Sequence, residues 1–307
     1  ALGKLPEGLY RSIVHTLPLP SVEWGKVQSE GAPIGEIRIV PTTPEMMLHS
    51  APEKSAERIT RAIQTARDQG FNLVGLGALT APVMQGGLAL RRRMDVGITN
   101  GNAYTAAIMH DTTRNCLAAR AGTQREIRRV AIVGASGSVG SCLSRLIARD
   151  GDVESLLLVA RNSQKLERFA REIRGGATRV TTSTNLSDLK DMDMVVVLTS
   201  SKDALIGPEH LAPHAVVLDG TQPRNTSTDL TTERPDVVVV DGGIVSISGL
   251  KLQGGGFGLA RDQYFACFSE CLLLSLSGHQ GHFSLGRPTV DQVDHLRHIA
   301  STLAVLR

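Results

Sequence analysis

The sequence predicts an α/β chain whose middle is a doubly wound parallel sheet, and three observations predict it. Continuous Val/Ile/Leu runs recur at 130–133, 155–159, 179–181, 194–198, 215–218 and 237–240. The stretches between them are long enough for crossover helices. The first run opens directly into a glycine-rich turn and then a helical pattern. Runs without in–out alternation are what a sheet covered on both faces requires, and right-handed crossovers between them give a doubly wound sheet.

Around this middle the patterns are mixed. Residues 36–40 alternate like a strand that ends at Pro41. From about 44 to 69 the period becomes helical, with Glu53, Lys54, Glu57, Arg58 and Arg61 outside, Ile59, Ile63 and Ala66 inside, and Gly70 as the stop. Residues 72–77 read as a buried strand. A helix is expected from 103 to about 121, ended by Gly122. After 254–256, a helix is expected over about 259–276, with Phe265, Phe268, Leu272, Leu273 and Leu276 as its apolar positions, and another over about 290–306. The expected organisation is an N-terminal α/β substrate domain (1–125), a dinucleotide-binding domain (126–255) and C-terminal helices (256–307) that pack back on the substrate domain.

Composition narrows the function classes. A chain of 307 residues, 41% hydrophobic and 21% charged, can bury a full core. No run of eighteen apolar residues occurs, so no membrane span is expected. The first twenty residues lack a secretion-signal layout, and the chain starts at Ala1 rather than Met, as processing or a cut edge would leave it. Four cysteines without a Cys-x-x-Cys pair, and nine scattered histidines, suit neither a disulfide framework nor a metal site. Free thiols in a reducing, cytoplasmic setting are expected. A net charge of +3 with 3% aromatics argues against a nucleic-acid surface.

The strongest motif is Gly134-Ala135-Ser136-Gly137-Ser138-Val139-Gly140, which follows the first strand and precedes a helix expected from Ser141 to about Arg149. Glycines are needed there because a Cβ would strike either the pyrophosphate or the turn. The helix end offers N–H groups and partial positive charge to the phosphates. On the first strand of a β/α series this marks a Rossmann-like domain. The second strand runs into Ala160-Arg161-Asn162 where an NAD site would carry an acidic residue. Arg161, Asn162 and Lys165 therefore point to the 2′-phosphate of NADPH, against the plainer reading of Arg161 as a solvated charge. Thr199 and Ser200, after the fourth strand, are candidates for the nicotinamide side.

The thiols are the candidate nucleophiles. Cys116 and Cys142 fall in helices and read as packing residues. Cys267 and Cys271 share one helix, and each is open to a core reading. Cys267 is expected about two turns into that helix, beyond the reach of the helix dipole, so its position predicts no lowered pKa.

The stretch Tyr264-Phe265-Ala266-Cys267-Phe268-Ser269-Glu270, with Leu272-Leu273-Leu274 and His282-Phe283-Ser284-Leu285-Gly286-Arg287, resembles the C-terminal signature of cyanobacterial long-chain acyl-[acyl-carrier-protein] reductases. The glycine loop, Ala160-Arg161-Asn162, the segment 75–80 and Thr99-Asn100-Gly101-Asn102-Ala103-Tyr104-Thr105-Ala106 are similar to that family as well, in the same order from about 35 to 293. The resemblance implies NADPH-dependent reduction of an acyl thioester to an aldehyde. The carrier would be acyl carrier protein or coenzyme A, the family's acylated cysteine falls on Cys267, and an aldehyde-consuming enzyme is an implied partner. It also makes Thr99, Asn102 and Thr105 substrate-pocket candidates, beside the alternative that Thr99 or Asn102 caps a helix. The first 35 residues, Cys271 and the Thr/Ser-rich segment 221–234 depart from the family, which bears on acyl length. Arg91-Arg92-Arg93 is either a dock for an acidic carrier or a solvated face.

Two other readings remain open at this level. One is a two-domain NADP-dependent dehydrogenase of the shikimate dehydrogenase or glutamyl-tRNA reductase type. The absence of any cysteine before Cys116 counts against the latter. The other is a non-catalytic NADP-binding sensor.

Overall fold

A computed structural model describes residues 7–199, 205–254 and 256–303. The chain opens with α1 (Glu7–Thr16), the strands β1 (Val22–Ser29) and β2 (Ala32–Ile39), α2 (Pro52–Asp68), β3 (Leu73–Gly75), the single turn α3 (Thr80–Val83) and β4 (Gly97–Thr99). There follow α4 (Asn102–Arg120), β5 (Arg129–Val133), α5 (Ser138–Asp150), β6 (Ser155–Val159), α6 (Ser163–Ile173), β7 (Arg179–Ser183), β8 (Met194–Val197) and β9 (Val216–Asp219). Then come α7 (Leu230–Glu233), β10 (Val238–Asp241), β11 (Ile244–Ser246), β12 (Leu250–Gly254), β13 (Gln263–Phe265), α8 (Ala266–Leu276) and α9 (Val290–Leu303). Two compact units result: Ala1–Gly101 with Val245–Gly286 and His298–Arg307, and Asn102–Ile244 with Arg287–Arg297.

The second unit is the Rossmann-like one. Its six strands lie in the order β10-β9-β8-β5-β6-β7, and every neighbouring pair is parallel. β5, first in sequence, is central, so the chain winds outward one way, returns and winds the other, which creates a switch point between β5 and β8. Successive residues of β5 feed opposite cores. Val130 and Ile132 pack with Leu143, Leu156 and Phe169, while Ala131 and Val133 pack with Val195, Val217 and Leu230. That two-sided burial is why the strands read as continuous apolar runs. At the end of β9 the buried Asp219 carboxylate accepts hydrogen bonds from Thr221 (N–H 3.0 Å, Oγ1 2.6 Å), the Asn225 N–H (3.0 Å) and Thr226 (N–H 3.0 Å, Oγ1 3.0 Å). The threonines of the unusual segment 221–234 thus hold a loop at the C-terminal edge of the sheet.

The first unit carries a three-stranded antiparallel sheet, β12-β1-β2, the parallel pair β3–β4 and the pair β11–β13. Its main core joins Ile59 and Ile63 of α2 to Leu76, Met84, Leu90, Met94 and Ile98. Here the structure corrects two expectations. The helix over about 44–69 is broken at Ala51 (φ −156°, ψ 57°): a wide turn at Met46–Ser50 precedes it, and α2 restarts with Pro52 in its first position, where the missing N–H is harmless. Arg58, expected outside, is buried and donates to the carbonyls of Pro41 (2.8 Å), Val14 (2.5 Å) and Leu17 (2.9 Å), three acceptors that repay its desolvation. Among the described residues no helix is long and apolar enough to cross a membrane, and no group of three His, Cys, Asp or Glu side chains is placed to hold a metal.

Candidate active site

The dinucleotide loop is built where β5 meets α5. Gly134 adopts φ +90°, and a Cβ there would lie 2.7 Å from the Leu198 carbonyl carbon. A Cβ on Gly140 would lie 3.0 Å from the carbonyl carbon of Gly134. The turn therefore closes only on glycine. α5 begins at Ser138 rather than Ser141, which puts Ser138, Val139 and Gly140 in its first turn, and its N-cap, Gly137, contributes no side-chain cap. A thirteen-residue helix entered through glycines and left without a side-chain cap fits a pyrophosphate.

Two side chains outside the motif brace this loop. The Asn102 amide donates to Ser138 Oγ (2.9 Å), and Arg287 Nη2 donates to the Ser136 carbonyl (2.9 Å). Asn102 thus reaches the cofactor loop. Thr105 lies on α4, and a Cβ on Gly243 would meet its Cγ2 at 3.9 Å. Arg161, Asn162 and Lys165 are exposed at the end of β6 and the start of α6. Asn162 caps α6, its Oδ1 accepting the Lys165 N–H at 2.8 Å, so its side chain has a structural task. Thr199 donates to Asn225 Oδ1 (2.9 Å), which links the ends of the β8 and β9 loops. Ser200 lies outside the described residues.

In the first unit the helix expected from about 259 is shorter. β13 occupies Gln263–Phe265, and α8 starts at Ala266. Cys267 is consequently the second residue of α8, inside the first turn, where the helix end does act on it. Burial pushes the Cys267 thiol above the ordinary range, the Phe268 N–H opposes this, and the Glu270 carboxylate pushes upward again. Cys267 retains partial exposure. The other thiols are suppressed more simply: burial pushes Cys142 to about 11 and Cys271 to about 12, and raises Cys116.

β4 delivers two further groups. Gly101 (φ +78°) is pressed against Cys267, for a Cβ there would lie 2.6 Å from its Cα and 2.7 Å from its carbonyl oxygen. Thr99, fully buried, accepts the Ser284 N–H (3.3 Å) and donates from Oγ1 to Glu270 Oε1, an oxygen that also accepts the Gly101 N–H (3.2 Å). Asn100 anchors the same turn through Gly86, Gly286 and Ser284. In sequence Glu270 had a place in the Tyr264–Glu270 signature but no task. Its signal was present, since it is the one charged residue in the apolar helix Ala-Cys-Phe-Ser-Glu-Cys-Leu-Leu-Leu-Ser-Leu and sits three residues after Cys267.

Residues 129–231 match the family model of the semialdehyde dehydrogenase NAD-binding domain, which agrees with the loop and the sheet. The second unit is a nicotinamide-dinucleotide-binding domain of oxidoreductase type. The chain is 30% identical over 273 residues to the aminotransferase PigE of a Serratia species, covering 88% of this chain but 32% of that protein, so it spans about a third of that relative. It is 27% identical over 256 residues to the long-chain acyl-[acyl-carrier-protein] reductase of Synechococcus elongatus, covering 80% of this chain and 73% of that protein. Among solved structures, a malic enzyme of Entamoeba histolytica overlaps 83% of this chain and 53% of its own, with a TM-score of 0.48 and 15% identity.

Proposed function

We propose that this chain reduces an acyl thioester to an aldehyde with NADPH, through an acyl-enzyme on Cys267. The observation that carries the reading is the placement of Cys267 in the first turn of α8, partly exposed, under the Thr99–Gly101 turn. A dinucleotide-binding domain in the same chain and the likeness to a protein named an acyl-carrier-protein reductase support it. The thiol attacks the acyl carbonyl and the carrier thiol departs, leaving the acyl group on Sγ. When bound, NADPH would supply a hydride to this thioester; with a proton from solvent the product would be a hemithioacetal on Sγ that releases the aldehyde and leaves the thiol. The chain's own tasks are to hold the pyrophosphate on α5, to offer Arg161 and Lys165 to a 2′-phosphate, and to keep the thiol seated. Acyl carrier protein or coenzyme A would deliver the substrate, with the exposed Arg91, Arg92 and Arg93 as the acidic carrier's dock. An aminotransferase is a chemically suited consumer of the aldehyde, and one relative bears that name.

Intact-protein mass spectrometry tests the reading. Acyl-coenzyme A and acyl-carrier-protein donors of several lengths, without NADPH, should leave one acyl adduct that Cys267→Ala abolishes and NADPH discharges as aldehyde. No adduct from either donor class would remove the thioester reading.

A further inference from the structure

We propose that Glu270 takes the Cys267 proton during acyl transfer and returns it to the departing carrier thiol; this rests on the acyl-thioester reading above. Glu270 is fully buried, although α8 is otherwise apolar. A buried carboxylate is costly, and a glutamine would serve equally well if all it did were accept hydrogen bonds. It stands three residues after Cys267, so the two side chains leave the helix on the same face. Both also converge on Gly101. Glu270 Oε1 accepts the Gly101 N–H at 3.2 Å, and the Gly101 α-carbon is pressed against Cys267. Thr99 Oγ1 and the Gly101 N–H both donate to Oε1, so they orient the carboxyl group.

The surroundings assign other titratable groups elsewhere. On α8, Cys271 is pushed up to about 12 and stays neutral. On β13, the Tyr264 hydroxyl donates to the Leu250 carbonyl (2.9 Å). After α8, His279 packs edge-on against Phe283, while His282 accepts the Ile98 N–H (3.1 Å) and faces the Arg91 carbonyl (3.0 Å). β3 and β4 bring no ionisable side chain. The step then balances without a further reactant. The S–H bond of Cys267 breaks and its proton passes to Glu270. The Sγ–acyl bond forms as the carrier S–acyl bond breaks, and the carrier thiolate recovers the proton, leaving Glu270 as it began. At rest the same carboxylate disfavours the thiolate, which keeps the nucleophile neutral until a thioester is bound.

The test sets two reactions of Cys267 against each other in Glu270→Gln, which keeps an oxygen to accept from Thr99 and Gly101 but loses charge and basicity. Peptide-resolved iodoacetamide labelling of Cys267 across pH needs no thioester. Its midpoint should move to lower pH in the variant, because a negative neighbour is gone. Acylation by acyl donors should slow by about 100-fold, the ordinary scale of general base catalysis, and Glu270→Asp should recover part of it. A residue with a purely structural task would move both reactions in the same direction. Undiminished acylation in Glu270→Gln, or an unmoved labelling midpoint, overturns the proposal even though the unmodified protein acylates. Should the glutamine variant melt early, Glu270→Asp decides: a retained fold without restored acylation overturns it too. No adduct on the unmodified protein overturns the thioester reading itself, and the labelling shift tells the two failures apart.

Discussion

Replacing Gly101 by alanine isolates the contact that seats the Cys267 turn. At φ +78° an L-residue costs roughly 1–2 kcal/mol. The new Cβ would also sit 2.6 Å from Cys267 Cα and 2.7 Å from its carbonyl oxygen. These are backbone atoms that cannot rotate away, so the first turn of α8 must shift, an overpacking penalty of roughly 1–3 kcal/mol. The sum is about 2–5 kcal/mol. Gly70, in the same unit, supplies the control: its φ is +90° but nothing lies within 4 Å of its added Cβ, so Gly70→Ala carries only the first contribution. Urea unfolding of both variants, with iodoacetamide labelling of Cys267, reads the difference directly. Gly101→Ala should be the less stable by about 1–3 kcal/mol and should label Cys267 at an altered rate. Equal stabilities with unchanged labelling would refute the packing argument.

Three further outcomes are expected. Arg287→Ala removes the guanidinium that holds the Ser136 carbonyl, so NADPH binding by calorimetry should weaken about two- to tenfold with little loss of stability, the range of one exposed hydrogen bond. Arg161→Glu should reverse the expected preference for NADPH over NADH in binding titrations, because a carboxylate repels a 2′-phosphate and accepts ribose hydroxyls. Burial holds Cys271 neutral to about 12, whereas an unfolded thiol ionises near ~8.5. Between those values the unfolded chain binds fewer protons, so stability is full below the lower one and falls as pH rises. Cys271→Ala should flatten that slope in unfolding curves taken from pH 8 to 10.5, whatever its packing cost.

The Rossmann-like half was legible because its signals are local and doubled. Every strand but β7 declares itself by an apolar run, and Gly134 and Gly140 answer a backbone requirement that no other residue meets. The first unit was less legible. β1 and β12 pair across more than two hundred residues, and the Gly25 region carries a register irregularity that spoils strand alternation. Arg58 looked like a surface residue because its three carbonyl partners come from segments 17 to 44 residues away. The α8 boundary was missed for a related reason: Gln263–Phe265 pairs with β11, so the helix starts only at Ala266 and Cys267 is its second residue.

By itself the sequence determined the α/β class of the chain, the parallel strands of its middle and the loop that would cradle a pyrophosphate, while Cys267 came from the family resemblance. The first three rest on short-range chemistry, in apolar runs and glycine spacing. Only the tertiary structure decided that Cys267 opens a helix, that Glu270 and Thr99 meet in the same buried turn, and that Asn102 and Arg287 brace the cofactor loop. Those facts depend on where distant backbone segments stop and pair, and hydrogen bonds between residues 99 and 270, or 136 and 287, leave no periodicity in the chain that makes them.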